Sequence, residues 1–248
     1  MFRKLLNKAE KRITKLQGKG WGAETIDKEF SSAVKLLSNT KPSLFVDIGG
    51  NKGLYTQEIV NAYPDSNIVV FEPSSVNIDC LKQKFSNHPK ITIEPFAVSN
   101  FDGDTILYSD HEGSGLSSLT KRKLDHCNIS FENSEEIRSL KFEGYWKTKL
   151  NKTPIDLCKL DIEGHELDAL NGFGEAINHI DVIQFEFGGC NIDTRTYLRD
   201  FWYFFTENGY ELFRITPFGP SKISKYSERE EFFGTTNYLA KRKATIKT

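Results

Sequence analysis

The sequence has little of what would place it in a specialised structural class. Methionine occurs once and proline eight times in 248 residues, and the formal net charge is only −1. No stretch approaches the roughly 20 apolar residues that would span a bilayer. The net charge gives no reason to expect general affinity for nucleic acid. With 38% hydrophobic and 27% charged residues, the composition is that of an ordinary globular protein, so collagen-like, disordered and membrane-spanning classes fit poorly.

The four cysteines, Cys80, Cys127, Cys158 and Cys190, are too scattered to organise the fold. They contain no Cys-x-x-Cys pair, which excludes a zinc ribbon and gives no disulfide framework. We therefore expect reduced cysteines in a cytoplasmic protein, with Cys158 packed as a small hydrophobic residue. The 19 Phe, 3 Trp and 9 Tyr residues predict a core built on rigid rings.

The first 20 residues depart from the near-neutral total. Seven Lys and Arg residues oppose Glu10 alone, a local charge of +6 that leaves −7 for the rest of the chain. Apolar residues recur at helical spacing, which predicts a basic amphipathic helix. Packing of this helix on its own domain is the simpler interpretation, and docking on an anionic membrane surface or a partner is the other. Glycines at 18, 20 and 22 then precede a second predicted helix over about 24–37, so residues 1–40 are treated as a helical segment before a domain over 41–248.

From residue 43 onward, short apolar strands alternate with amphipathic helices. The order strand–helix–strand predicts parallel pairing with right-handed crossovers. The strands are predicted over 44–48, 68–71, 91–93, 155–162, 180–187, 210–215 and 237–240. The last two have no helix between them and predict an antiparallel hairpin at a sheet edge. Between the third and fourth, an inserted region over about 104–145 holds a polar stretch, 110–135, with strands on either side (105–108 and 137–142), which is typical of a lid or binding loop.

A glycine-rich turn, Asp47-Ile48-Gly49-Gly50-Asn51-Lys52-Gly53, follows the first predicted strand. Glycines there let the backbone approach a ligand closely, and the helix start offers free N–H groups. The dinucleotide pattern Gly-x-Gly-x-x-Gly fails, because positions 51 and 54 are Asn and Leu. The spacing suits a nucleoside-bearing ligand without a pyrophosphate, although a purely structural turn is the alternative. Glu72, at the end of the next strand, is placed to accept both hydroxyls of a ribose.

Ionisable residues also cluster at the C-terminal end of the predicted strand over 155–162, at Lys159, Asp161 and Glu163. Alternation along a strand would send all three to one side, which indicates a catalytic or metal cluster; capping of the following helix is the alternative. Glu186 stands between two Phe residues, where a carboxylate is costly unless paired, so it should lie near Lys159 or point into the cleft. Oxygen ligands from Asp161, Glu163 and Glu186 would fit Mg²⁺, but a metal site is not favoured. His165 is expected at the surface near the cleft.

Segments 45–53, 71–73 and 159–166 together resemble the FkbM family of S-adenosylmethionine-dependent methyltransferases, and residues 97–99 and 185–186 are similar to that family's intervening motifs. The resemblance covers about residues 43–240. It implies an α/β fold of the class I methyltransferase (Rossmann-like) type, with a seven-stranded, mostly parallel sheet and an antiparallel edge hairpin. It also implies O-methylation, often of sugar or polyketide hydroxyls.

The resemblance further implies roles for individual residues. Gly49, Asn51 and Gly53 would line the methionine part of the cofactor, Glu72 would hold the ribose, and Ala97 and Val98 would face the adenine. The implied cofactor-binding set is Asp47, Gly49, Gly50, Asn51, Gly53, Glu72, Pro73, Ala97, Val98 and Asp161, and the catalytic set is Glu163, Asp161, Lys159 and Glu186. Gly50 stands where the family often has alanine. Residues 142–146 replace the family's usual Leu-Asp dipeptide, which leaves the acceptor type open.

These expectations converge on an O-methyltransferase that uses S-adenosylmethionine. The acceptor would be a small molecule or glycan and not nucleic acid. Glu163 is the first candidate for the general base and Asp161 the second, with Glu186 and Lys159 orienting the acceptor and the polar stretch excluding water. The alternative is a non-catalytic module that binds a nucleoside or S-adenosylmethionine and docks through its first helix. An oxidoreductase is disfavoured by the failed dinucleotide pattern.

Overall fold

The computed structural model describes residues 2–21 and 25–244. Gly22 and the predicted start of the second helix at 24 lie outside the described residues. The helices are α1 (Phe2–Leu16), α2 (Ile26–Val34), α3 (Leu54–Ala62), α4 (Ser75–Lys84), α5 (Phe142–Thr148), α6 (Glu166–Asn171), α7 (Cys190–Thr194) and α8 (Leu198–Glu207). The strands are β1 (Leu44–Ile48), β2 (Asn67–Phe71), β3 (Ile91–Glu94), β4 (Ala97–Val98), β5 (Gly103–Ser109), β6 (Asn133–Leu140), β7 (Ile155–Leu160), β8 (Ile180–Phe187), β9 (Tyr210–Thr216), β10 (Gly219–Ile223) and β11 (Thr236–Arg242). Among the described residues, no helix combines the length and apolar character needed to cross a bilayer.

The main sheet contains eight strands in the order β10-β9-β11-β8-β7-β1-β2-β3. The strands β3, β2, β1, β7 and β8 pair in parallel, whereas β11 runs antiparallel to both β8 and β9. The predicted parallel sheet with an antiparallel edge is therefore confirmed. The chain leaves β1 towards β2 on one side and β7 lies on the other, and ligands bind at such a switch point, beyond the carboxyl ends of the strands.

The sheet has one strand more than predicted, because β10 continues the edge beyond β9. Its sequence begins Gly219-Pro220 and is polar, so it has no apolar alternation to reveal it. Proline is tolerated in a sheet mainly at an edge, which is where this strand lies. β11 lies between β8 and β9 in the sheet. The two strands predicted to form the hairpin, β9 and β11, are therefore antiparallel neighbours, with β10 between them in the sequence.

A separate three-stranded sheet, in the order β4-β6-β5, joins β4 to two strands of the inserted region. β6 begins at Asn133, so the polar stretch is shorter than predicted. Phe142 opens α5 instead of ending a strand. Phe142, Tyr145 and Trp146 have the spacing of one helical face, and all three are buried in the core.

Aromatic rings fill the core, as the composition predicts. The ring of Phe185 stacks on that of Phe201 at 4.9 Å between centroids and on that of Tyr238 at 5.4 Å. Cys158 is fully buried in the same cluster, as expected. α2, which the family resemblance did not cover, buries Phe30 against the other face of the sheet, so this helix is part of the domain's packing.

α1 behaves differently from α2. None of its described residues is buried, and the large apolar side chains along it are more than half exposed. The interpretation of this helix as packed on its own domain is therefore wrong for the described part of the chain.

Candidate functional site

A cavity of about 270 Å³ opens where β1, β2 and β7 end. All the residues predicted as catalytic or cofactor-binding line it except Asp47 and Gly53. The topology explains the convergence, because parallel strands bring the segments that follow them to the same sheet edge. The turn after β1, the residue after β2 and the ionisable group after β7 thus meet as the sequence predicted.

The turn after β1 is glycine-rich because the backbone there passes against neighbouring strands. Gly49 has φ +82°, and a Cβ on it would lie 1.9 Å from the carbonyl oxygen of Asp161. A Cβ on Gly50 would lie 2.2 Å from Cγ1 of Val70. Both positions therefore exclude a side chain unless the neighbouring strands move.

Glu72 holds this turn in place. Its Oε2 accepts a hydrogen bond from the backbone N–H of Asn51 at 2.7 Å, and its Oε1 accepts one from the N–H of Ser74 at 3.0 Å. One carboxylate thus ties the turn after β1 to the start of α4. Burial raises the pKa of Glu72, and the hydrogen bonds from Ser74 and Asn51 oppose that rise.

Two amide side chains beside Glu72 carry unsatisfied acceptors. Oδ1 of Asn51 and Oδ1 of Asn77 are buried without a hydrogen-bond partner in the described residues, and both side chains belong to the cavity lining. Buried polar atoms are normally paired, so this end of the cavity fits a ligand that is rich in N–H or O–H donors. Sequence reasoning missed Asn77, whose only signal was a polar residue on the buried face of α4.

Asp47 and Gly53 lie behind the cavity wall. Asp47 is fully buried, its Oδ2 accepts a hydrogen bond from the Thr56 hydroxyl at 2.6 Å, and its Oδ1 lies 3.9 Å from Nζ of Lys159. Burial raises the pKa of Asp47. Gly53 has φ +69°, and a Cβ there would lie 2.5 Å from the ring of Phe85. The structure therefore places these two residues behind the residues that line the cavity, and their expected contacts with a cofactor stay a prediction.

The cation at the centre of the site is Lys159, which is 7% exposed. Its Nζ donates to Oδ2 of Asp161 at 3.1 Å and lies 5.2 Å from the ring centroid of Tyr55. Burial lowers the pKa of Lys159, but the negative charges of Asp161, Asp47 and Glu29 outweigh burial and raise it. Lys159 is therefore held as an ammonium that neutralises Asp161.

Glu163 does not continue the strand alternation that predicted it. β7 ends at Leu160, and Glu163 adopts the left-handed conformation with φ +54°. Its carboxylate accepts a hydrogen bond from Nη1 of Arg122 at 2.6 Å, and Nε of Arg122 donates to Asp193 at 3.1 Å. Burial and the negative charge of Asp161 raise the pKa of Glu163 to about 8 even though Arg122 lowers it. Arg122 comes from the polar stretch, and its pairing had no sequence signal.

Glu186 lines the same cavity, and a position in the cleft was one of the two that the sequence predicted for it. Burial and the charges of Asp161 and Glu163 raise the pKa of Glu186 well above its usual value. Glu163, Glu186 and Cys190 each offer one ligand atom, and these atoms lie within 4.8 Å of one another. This group contains a thiol in place of Asp161, so it differs from the all-oxygen set that Mg²⁺ prefers.

Three further parts of the chain close the cavity. Glu29 of α2 lines it and accepts hydrogen bonds from the side chains of Thr25 at 2.8 Å and Gln184 at 3.0 Å. Burial raises the pKa of Glu29 to about 7. Part of the polar stretch, including residues 114–115 and 117–119, covers another side. His165 also borders the cavity, but its ring lies between Thr120 at 3.0 Å and Asp168 at 2.9 Å, an arrangement that holds the polar stretch against α6.

Comparison with known proteins adds an independent finding. The model of a family described as "Methyltransferase FkbM domain" matches residues 47–212. "Methyltransferase 1" of Beauveria bassiana (strain ARSEF 2860) is 21% identical over 155 residues, which cover 57% of this chain and 61% of that relative. The chain thus spans less than two thirds of the relative's length.

Solved structures are similar at a lower level. The plantazolicin methyltransferase BpumL in complex with SAH aligns with a TM-score of 0.47 and 13% identity, over 97% of this chain and 90% of that one. SMU.1697c, described as a putative methyltransferase from Streptococcus mutans in complex with SAH, aligns with a TM-score of 0.48 and 8% identity, over 90% of this chain and 99% of that one.

Proposed function

The chain belongs to the FkbM methyltransferase family, and from this we propose that it transfers a methyl group from S-adenosylmethionine to a hydroxyl of a sugar, glycan or related natural product. The observation that carries the proposal is the division of one cavity into two chemically different ends. One end holds a glycine turn, a carboxylate and unsatisfied amide acceptors. The other holds several carboxylates around one lysine.

The first end fits S-adenosylmethionine. Glu72 offers carboxylate oxygens for ribose hydroxyls, and the unsatisfied Oδ1 atoms of Asn51 and Asn77 suit further N–H or O–H donors. Ala97 and Val98 supply apolar surface for a base, as the family resemblance implies. The bound cofactor would supply a methyl group activated on a sulfonium. The turn at Gly49 and Gly50 lets backbone rather than side chains border that ligand.

The second end suits an uncharged acceptor that carries hydroxyls. Glu29, Asp161, Glu163 and Glu186 line it with Lys159, and carboxyl groups exchange hydrogen bonds with hydroxyls in either protonation state. An anionic acceptor would oppose the ionisation that Glu163 needs in order to accept a proton. A polyol such as a sugar has the donors that this wall can accept.

Within this site each residue has a distinct proposed task. Glu163 accepts the proton of the acceptor hydroxyl, and its raised pKa places that exchange near neutral pH. Lys159 fixes Asp161 through their 3.1 Å contact, and Asp161 and Glu186 orient the hydroxyl. The polar stretch that carries Arg122 excludes water from the cavity.

The test combines cofactor binding with methyl transfer. The purified chain is incubated with methyl-labelled S-adenosylmethionine and a panel of neutral sugars, acidic sugars and amines, and cofactor binding is measured separately by calorimetry. We expect label on neutral hydroxyl acceptors, loss of turnover with retained cofactor binding in Glu163→Ala, and weakened binding in Glu72→Ala. Cofactor binding without transfer to any acceptor would favour the non-catalytic module, and transfer to amines alone would overturn O-methylation.

A further inference from the structure

α1 presents a continuous apolar stripe to solvent. Its members are the large apolar side chains Phe2, Leu5, Leu6, Ile13 and Leu16, each more than half exposed. At 3.6 residues per turn these positions fall within an arc of about 100°. A stripe of that width on a globular protein is normally covered by its own core, yet no described residue of α1 is buried.

The rest of the helix surface is cationic. Lys4, Lys8, Lys11 and Lys15 are all exposed and lie on the side opposite the apolar stripe. Arg3 and Arg12 project between the two faces, and Glu10 is the one acidic residue of the helix. An amphipathic helix with a strongly basic polar face has the character of helices that lie in the interface of a membrane.

The helix is held at a defined place on the domain. The turn after it is tied down by a hydrogen bond from the N–H of Gly20 to Oγ1 of Thr236 at 2.9 Å, and Nζ of Lys19 donates to the carbonyl oxygen of Arg229. Gly18 has φ +83°, and a Cβ there would lie 2.3 Å from the carbonyl oxygen of Ile215. Close backbone contact thus fixes where α1 leaves the antiparallel edge of the sheet.

The apolar surface continues from the helix onto the domain. Phe218, in the turn between β9 and β10, is 80% exposed. Leu16 and Phe218 line the same surface groove. The exposed ring of Phe218 therefore extends the exposed apolar surface beyond the end of α1.

We propose that the apolar stripe of α1, together with Phe218, is a docking surface for an anionic lipid bilayer. The stripe and the ring enter the interface between headgroups and acyl chains, and the lysines of the polar face contact anionic headgroups. Charge decides between a membrane and a second copy of the chain. Two copies joined through the stripe would bring two basic helices together with one glutamate each to offset them, whereas anionic lipid neutralises them. The charge of −7 on the rest of the chain keeps the remaining surface away from the same bilayer.

The test is co-sedimentation of the full chain with vesicles of phosphatidylcholine alone and of phosphatidylcholine mixed with phosphatidylglycerol. We expect binding to the mixed vesicles and little to the neutral ones. The double variant Leu6→Asp/Ile13→Asp should lose about tenfold or more in affinity, because it places charge in the stripe. Asn7→Asp/Thr14→Asp is the matched control: it adds the same charge at the same spacing on a polar side of the helix and so measures the electrostatic loss alone. Leu6→Asp/Ile13→Asp should lose about tenfold or more beyond this control.

Several results would overturn the proposal. Failure of the wild type to sediment with the mixed vesicles excludes it. An equal loss in both double variants would show that net charge alone drives binding and that the stripe does not enter the bilayer. A wild type that is dimeric in analytical ultracentrifugation, with a monomeric Leu6→Asp/Ile13→Asp variant and no vesicle binding, would assign the stripe to a second copy. Far-UV circular dichroism checks that both variants keep the fold, and neither substitution touches the cavity.

Discussion

Replacing Glu72 with alanine tests the proposal that S-adenosylmethionine binds at the end of the cavity formed by the glycine turn, Glu72 and Asn77, here called the nucleoside end. In the structure its two carboxylate oxygens accept the N–H groups of Asn51 at 2.7 Å and Ser74 at 3.0 Å. A carboxylate has about four acceptor sites, and Nδ2 of Asn77 also donates to Oε1 at 3.5 Å. Two ribose hydroxyls can therefore donate without displacing either backbone bond, but one of them replaces this long contact with Asn77. The substitution removes both sets of contacts together.

The expected loss of affinity follows from those contacts. A hydrogen bond to a charged group contributes about 1.5–3 kcal/mol, so two hydroxyls account for about 3 kcal/mol or more. Since each 1.4 kcal/mol is tenfold, the Kd for S-adenosylmethionine should rise by about a hundredfold or more. Asn51 lines the cavity, so its freed N–H can be hydrated, whereas the N–H of the buried Ser74 loses its partner. We therefore expect a loss of about 1–3 kcal/mol in the free energy of unfolding.

Calorimetric titration measures the Kd for S-adenosylmethionine, and urea denaturation measures the free energy of unfolding. Glu94→Ala is the control, because Glu94 ends the neighbouring strand β3 and accepts a hydrogen bond from the Tyr145 hydroxyl at 2.9 Å, but it is not among the residues lining the cavity. Its Kd should stay within about threefold of the wild-type value. Wild-type affinity in Glu72→Ala would refute the placement of the ribose beside this carboxylate.

Three other outcomes are expected. Methyl transfer should rise about tenfold between pH 7 and pH 9, because the pKa of Glu163 is raised to about 8 and only the ionised carboxylate accepts a proton. In Arg122→Gln the midpoint of the pH–rate profile should move to higher pH, because Arg122 lowers the pKa of Glu163. A flat wild-type profile would exclude Glu163 as the base. Gly50→Ala places a Cβ 2.2 Å from Cγ1 of Val70 and should lower the free energy of unfolding by about 1–3 kcal/mol on urea denaturation. In a double-mutant cycle the same substitution should cost less in the Val70→Ala background, and an equal cost in both backgrounds would contradict the clash. Treatment with EDTA should leave methyl transfer unchanged, because Arg122 already pairs with Glu163; loss of activity that a divalent cation restores would assign a metal.

The strands that carry the site were predictable because they are buried on both faces. β1 and β8 have the bounds that their apolar runs predicted. Such runs stand out in a sequence because parallel strands are covered on both sides. β10 and α7 were missed for the opposite reason. Both are five residues long, and neither carries a continuous apolar run.

The nucleoside end of the cavity was largely predictable, whereas the contacts around Glu163 at the acceptor end were not. The glycine turn and Glu72 lie at the ends of adjacent strands, so their meeting follows from the order of strands and helices alone. Arg122 reaches Glu163 from 41 residues earlier in the chain. That contact depends on how the polar stretch folds back over α6, which no local pattern encodes. The alternation argument also failed at Glu163, because β7 ends at Leu160 and the chain turns through a left-handed residue.

The two ends of the cavity differ in whether all their lining residues lie within the family match. The turn after β1, Glu72 and Asn77 all lie within residues 47–212, the range that the family model matches. The acceptor end also draws on Glu29 and Asn237, which line the cavity from outside that range. Asn237 pairs with Glu186 in the register of β11 and β8, so a residue beyond the match lies beside one of the proposed orienting carboxylates. The family match thus covers the proposed cofactor end and the carboxylates and lysine of the acceptor end, and α2 and β11 add lining residues from outside it.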